Sequence, residues 1–261
     1  MQGGFFTPYP FHKSLVLWLG AIANASSEVV AQKFRGSKLR VVFSLTEPLV
    51  MLGLIMALKT VMGRAFHYFG DSALLYYASG LFPFYMFLYV SARVRTNITR
   101  LPGVTRLDQF FAVVLVESTI ILLMLILVMG ALWLDGVAQA IPFSVPTCAL
   151  GILLLLVLGM GVGLVNMIIA QAYPAWLLFY GSITRGLGFL SGIFTIPSLL
   201  NARIREVIVW NPVLHGIELF RTGLYELYPN LIMDVPYLAT WGIVALFLGI
   251  VLERNTIRAR K

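Results

Sequence analysis

The sequence predicts an all-α integral membrane protein with six transmembrane helices, an N-terminal amphipathic helix at the membrane interface, and a short external helical segment before the last span. Three observations carry that expectation. Of 261 residues, 59% are hydrophobic and only 11% are charged, whereas a soluble domain carries about 25% Asp, Glu, Lys and Arg. The apolar residues gather in six runs, each able to cross a hydrocarbon layer of about 30 Å, which takes roughly 20 residues of helix. The runs are continuous rather than alternating, which favours helices over the strands of an outer-membrane barrel, and a helix satisfies its backbone hydrogen bonds within itself.

The chain divides into a cytoplasmic N-terminal segment, 1–38, a transmembrane domain, 39–252, and a basic cytoplasmic tail, 253–261. The stretch 11–35 has two readings. Lys13, the apolar run 15–22 and Ala23-Asn24-Ala25 resemble a signal peptide with its small-residue cleavage site. Alternatively, helix-compatible sequence continues past that point through Glu28, Gln32 and Lys33, as an amphipathic helix on the cytoplasmic surface. Spans are expected at 39–62, 72–91, 109–134, 143–170, 175–200 and 235–252, each one continuous helix. Pro48 frees a backbone carbonyl in the first span and kinks it. Segment 201–236 is too polar to span, yet Asn211 as N-cap and Pro212 at the first helical position start a helix. Leu214, Ile217, Phe220 and Leu224 give that helix an apolar stripe, with His215, Glu218, Thr222 and Glu226 on another face, so it lies at or dips into the outer interface.

The formal charge of +8 reports topology here rather than nucleic acid. Lys13, Lys33, Arg35, Lys38 and Arg40 precede the first span, Arg93, Arg95, Arg100 and Arg106 lie in the second connection, and Arg254, Arg258, Arg260 and Lys261 form the tail. The opposite side carries Arg64, Arg203, Arg205 and Arg221, so both termini are expected in the cytoplasm. Cys148 is the single cysteine, which excludes an internal disulfide, and His12, His67 and His215 are too scattered for a metal site.

A few residues stand out against the apolar background. Glu47 sits near the cytoplasmic end of the first span, where it either accepts bonds from Arg40 or Lys38 or lines the inner mouth of a conduit. Arg185 shares a face of the fifth span with Gly181, Gly188 and Gly192, and Glu117 of the third span lies at a similar depth. A Glu117–Arg185 pair is the expected arrangement, the alternative being that Arg185 faces an anionic polymer. Glycines at this spacing, and Gly159, Gly161 and Gly163, point to tight helix packing. On the outer side, Glu206, Glu218, Glu226 and Asp234 stand near Arg203, Arg205 and Arg221. Glu218 and Arg221 make an i, i+3 pair in a self-satisfied cap, unless these arginines guide a polymer outward. The aromatics of the second span are expected to pack, Trp176, Phe179 and Tyr180 to pack or to line a sugar route, and Lys59 to snorkel.

Arg35-Gly36-Ser37-Lys38-Leu39, followed by Glu47-Pro48, resembles the ABC-2 type permeases. Trp210-Asn211-Pro212-Val213-Leu214-His215-Gly216-Ile217-Glu218-Leu219-Phe220-Arg221 resembles their capsular-polysaccharide export branch. The resemblance implies a permease subunit in the bacterial inner membrane that pairs with a second copy and with two ABC ATPase subunits, and exports a lipid-linked polysaccharide. Periplasmic and outer-membrane export components are further implied partners. By the same resemblance, segment 93–108, with Arg93, Arg95, Arg100, Arg106 and Asp108, is the coupling segment that docks on the ATPase. The chain has no G-x-x-x-x-G-K-[ST] loop, so ATP and its magnesium are expected on the partner, with no cofactor and no catalysis in this chain. Exporters of O-antigen or teichoic acid are the nearest rivals. An ion-coupled carrier or an intramembrane glycan enzyme calls for clustered acidic residues, whereas Glu47, Glu117 and Asp135 are scattered.

Overall fold

A computed structural model describes residues 11–35, 38–63, 67–92 and 105–258; the side chains of 11–15, 34, 38–45, 257 and 258 lie outside that description. The described residues contain helices and no strand, as expected of an all-α chain. Helix α1, Phe11–Phe34, occupies the predicted N-terminal helical stretch, and α2, Lys38–Met62, occupies the first apolar run with Pro48 inside it. They are followed by α3, Ala73–Ala92, α4, Arg106–Leu134, and α5, Val145–Ala172. Next come α6, Trp176–Phe189, α7, Ala202–Ile208, α8, Pro212–Leu224, and α9, Val235–Arg258. Among the described residues, α3, α4, α5 and α9 are long and apolar enough to cross a membrane.

Glycines set the register of the central helices. Gly159 of α5 lies against Phe87 and Val90 of α3, and Gly163 against the Val90 carbonyl and Phe110. One turn further, the Asn166 amide donates to the Ser91 carbonyl at 2.9 Å. On another side of α5, Leu158 meets Gly242, Gly161 meets Ala245 and Leu246, and Leu164 meets Gly249. Residue numbers rise together along both seams, so α3, α5 and α9 run parallel. Small residues at these contacts let the backbones approach, which is how helices associate where lipid removes the hydrophobic drive.

Parallel neighbours require the chain to return between them. Between α3 and α5 the return is the single 29-residue helix α4. Between α5 and α9 the structure departs from the continuous span expected at 175–200. Helix α6 has 14 residues, about 21 Å at 1.5 Å per residue, short of a 30 Å layer. It stops because the chain turns at Gly192, whose φ of +73° suits glycine, and because Asn211 holds its end. The Asn211 amide donates to the Leu190 carbonyl at 3.2 Å and to Ser191 Oγ at 2.9 Å, while its Oδ1 accepts from the Val213 backbone N–H at 3.1 Å. One side chain therefore both caps α8, as expected, and pins the end of α6.

Helix α8 is wedged into the bundle rather than carrying a polar face. Apart from Pro212 and Thr222, each of its residues is buried, including His215, Glu218 and Arg221. It runs antiparallel to the first half of α5: Gly216 lies against Leu155, Phe220 against Gly151, and Gly223 against Cys148. The α3 aromatics Tyr76, Tyr77, Phe82, Phe84, Tyr85, Phe87 and Tyr89 are buried as packing residues. Helix α1 rests on α4, with the Trp18 and Phe111 rings edge to face at 6.0 Å.

Gly161→Val, which drives a side chain into the α9 backbone, is expected to cost about 1–3 kcal/mol. A lower melting temperature of the detergent-solubilised protein checks this. Gly186→Ala, where no atom lies within 4 Å, should leave the melting temperature no lower.

Candidate functional site

The polar residues gather at three places, and the first is a clasp around Arg221. The Arg221 side chain is 0% exposed. Its Nη1 donates to the Gly192 carbonyl at 2.7 Å, Nη2 to the Tyr76 and Ile193 carbonyls at 3.3 Å, and Nε to Ser79 Oγ at 3.3 Å. The guanidinium lies 3.9 Å from the Tyr76 ring centroid. Gly80 clears the space, since a Cβ there would press on Nη2. Glu218 Oε1 stands 3.5 Å from Nη1 and accepts from the Tyr228 hydroxyl at 2.8 Å. Burial pushes the Glu218 carboxyl up to about 7, against the pull of Arg221 and of the Tyr228 hydrogen bond. The expected Glu218–Arg221 pair is present, but Arg221 faces no outward route: it ties α8 to α3 and to the loop after α6.

His215 extends the tie. The Asp234 backbone N–H donates to its Nδ1 at 3.0 Å, which leaves the proton on Nε2, 2.8 Å from the Val209 carbonyl. Tyr237 packs on the imidazole at 5.0 Å between centroids and donates its hydroxyl to the Trp210 carbonyl at 2.8 Å. His215 thus joins the turn before α8 to the start of α9. Arg203 is exposed and Arg205 half-exposed on α7, and neither has a carboxylate partner among the described residues.

The second place is the first half of α6. Trp176 Nε1 donates to Asn166 Oδ1 at 2.8 Å, and the Tyr180 hydroxyl to Ser91 Oγ at 2.8 Å. These rings therefore spend their polar atoms on α5 and α3. The Phe179 side chain is 58% exposed, beside Trp176 at 5.5 Å. Arg185 is exposed too and donates Nε to the Gly181 carbonyl at 3.0 Å. The expected Glu117–Arg185 pair is absent, because Glu117 Oε2 accepts from Lys33 Nζ at 2.8 Å, both side chains 7% exposed. A carboxylate at that depth is met by a lysine from α1, which sits 84 positions away in sequence. Glu47 on α2 accepts from the Tyr89 hydroxyl at 2.7 Å, while the Lys38 and Arg40 side chains lie outside the described residues.

The third place is the start of α4. Arg93, Arg95 and Arg100 lie outside the described residues. Arg106 Nη1 donates to Gln171 Oε1 at 2.6 Å. Asp108 closes a capping box with Thr105: the Thr105 N–H donates to Asp108 Oδ2 at 2.8 Å and the Asp108 N–H to Thr105 Oγ1 at 3.2 Å. A threonine three residues before an acid, ahead of an apolar run, carries that signal in the sequence. Asn166 and Ser91 were also missed, and a lone Asn in an apolar run is their only sequence trace. Lys59 lies 4.7 Å from the Tyr68 ring centroid. No group of three or more His, Cys, Asp or Glu among the described residues is placed to hold a metal.

Known proteins give these places a context. The chain is 28% identical over 183 residues to the polysialic acid transport protein KpsM of Escherichia coli, covering 68% of this chain and 70% of that protein. It is 30% identical over 154 residues to the capsule polysaccharide export inner-membrane protein BexB of Haemophilus influenzae, covering 57% of this chain and 56% of that protein. No protein-family model matches the chain.

Two outcomes follow from the geometry. Arg221→Ala strands a buried carboxylate and four acceptors, and losing one partner of a buried pair costs about 3–5 kcal/mol. Arg221→Lys cannot reproduce the fork and is not expected to rescue it; yield and melting temperature of the purified protein check both. Lys33→Glu and Glu117→Lys should each destabilise the protein and recover together, whereas Arg185→Gln should leave its stability unchanged.

Proposed function

We propose that this chain, a homologue of the capsule polysaccharide export inner-membrane permeases, is the permease subunit of an ATP-driven exporter that moves lipid-linked capsular polysaccharide across the bacterial inner membrane. The observation that carries the reading is the 28% identity to a polysialic acid transport protein over 183 residues. The four long apolar helices support it. So does the absence of a phosphate-binding loop, which leaves ATP hydrolysis to a separate subunit.

In this reading the chain crosses the membrane six times with both ends in the cytoplasm. The parallel course of α3, α5 and α9 supports an odd number of passages between each pair. Two copies assemble with two ATPase subunits, and segment 93–108 with α1 beside it receives the ATPase movement. Glu47, the α6 face with Phe179 and Arg185, and Arg203 and Arg205 of α7 border the route, while Trp176 and Tyr180 hold α6 against α5 and α3. Arg185 is the residue that bears on the charge of the cargo. A cation in the middle of a membrane passage requires water or an anion, and Lys33 has taken the acid at its depth. An exposed arginine bordering the route supports an acidic polymer as the cargo.

Deleting the gene and measuring polymer outside and inside the cell tests the reading. Loss at the surface with accumulation in the cytoplasm is expected, restored by complementation; loss in both compartments points to synthesis instead, and an unchanged surface defeats the capsular cargo. Arg185→Gln should lower export of an acidic polymer while leaving protein level and ATPase association intact.

A further inference from the structure

We infer that Arg106 and Glu253 form an ion pair in a second state of the transporter, and that this pair passes movement of the second cytoplasmic connection into the last helix. The inference rests on the reading of the chain as a transport subunit. Its starting point is Glu253, which is 1% exposed and whose two carboxylate oxygens have no hydrogen-bond partner among the described residues. A buried carboxylate without a partner is costly, so a group of this kind marks a place where a cation or proton arrives.

The register of the seams places that cation. Gly249 of α9 packs against Leu164 of α5, and Glu253, four residues on, lies on the same face of α9, opposite the next turn of α5. Gln171 is seven residues beyond Leu164, hence on the same face of α5, about one more helical turn along, roughly 5 Å. That amide holds Arg106 Nη1 at 2.6 Å. Arg106 is the first residue of α4, where the second cytoplasmic connection ends.

A guanidinium resting on a neutral amide therefore stands about one helical turn from an unpaired buried carboxylate. A carboxylate is the stronger acceptor for it. The other described charges at this end are engaged or turned away: Lys33 bonds Glu117, Arg35 pairs with Glu28, Glu47 accepts from Tyr89, Asp108 caps α4, and Arg254 is exposed. A shift of the start of α4 along α5 by about one turn, or a swing of the long arginine stem, exchanges Gln171 for Glu253. The exchange ties α4 to α9 across α5.

The test uses the full complex with its ATPase subunits, in membranes, with Cys148→Ser as background. Arg106→Cys and Glu253→Cys together should cross-link in one nucleotide state far more than in the other. Absence of cross-linking in every state overturns the pair. Because the cross-link needs no cargo, it reads the pair even where the capsular assignment fails. In cells, Glu253→Gln, which keeps the shape but not the charge, should lower surface polymer by about tenfold, within the range of typical coupling between sites. Arg106→Glu should do the same, and adding Glu253→Arg should restore export. Wild-type export by Glu253→Gln, or recovery when Arg93, Arg95 or Arg100 is reversed in place of Arg106, assigns the carboxylate otherwise and overturns the proposal.

Discussion

Arg221 is the constraint around which the half of the bundle that holds α8 is arranged. A guanidinium presents five N–H donors and cannot lose its charge, so burying it obliges the surroundings to supply oxygen atoms. Here they come from three stretches far apart in sequence: α3, the loop after α6, and Glu218 with Tyr228. The carbonyls of Gly192 and Ile193 are available because α6 has already ended. The short helix and the buried arginine thus depend on one another: a longer α6 would keep those carbonyls in its own ladder, and without Arg221 the loop would leave them unpaired. Gly80 and Gly192 are the concessions, one making room for the guanidinium and the other turning the chain.

The same logic explains why a 13-residue helix can be buried on nearly all sides. Hydrophobic association is weak between helices already in lipid, so close approach and hydrogen bonding must hold α8 in place. Gly216, Gly151 and Gly223 bring its backbone onto α5, and its polar residues bond inward, Asn211 to the end of α6 and His215 to the start of α9. Of the polar face expected for this helix, His215 and Glu218 are attachment points, Thr222 bonds the Glu218 carbonyl of its own helix, and Glu226 lies beyond α8 and is exposed.

Four of the six expected spans appear as helices long and apolar enough to cross a membrane, and they were legible because lipid imposes a length and a polarity that composition alone reveals. The cap at Asn211, the Glu218–Arg221 pair and the glycine seams of α5 were legible because each is local or follows helical spacing. What escaped the sequence came from distant partners. The end of α6 is set by the turn at Gly192, which helical spacing assigned to packing, and by Asn211, some twenty residues on. Glu117 was matched by depth to Arg185, yet its cation comes from α1, whose contact with α4 no periodicity reveals. Glu253, beside Arg254, read as the first residue of a basic tail, and its burial follows only from the register of α9 on α5.

The two ends of the bundle are held in unlike ways. At the end that holds α8, α3, the loop after α6, α8 and the start of α9 share a network in which several groups bond to more than one neighbour, so displacing one leaves others buried without partners. At the other end the ties are fewer: Trp176 and the Ser91 carbonyl both bond Asn166, Tyr180 bonds Ser91, Lys33 pairs with Glu117, and Arg106 donates to Gln171. Among them the Arg106–Gln171 bond sets a cation on a neutral amide, and under the proposed exchange Glu253 is its replacement acceptor. Local opening follows the least costly contacts. On the proposed reading, force at the second connection reaches the start of α4, where Arg106 can exchange Gln171 for Glu253, while the Arg221 clasp, whose groups share several partners, is the more costly to disturb.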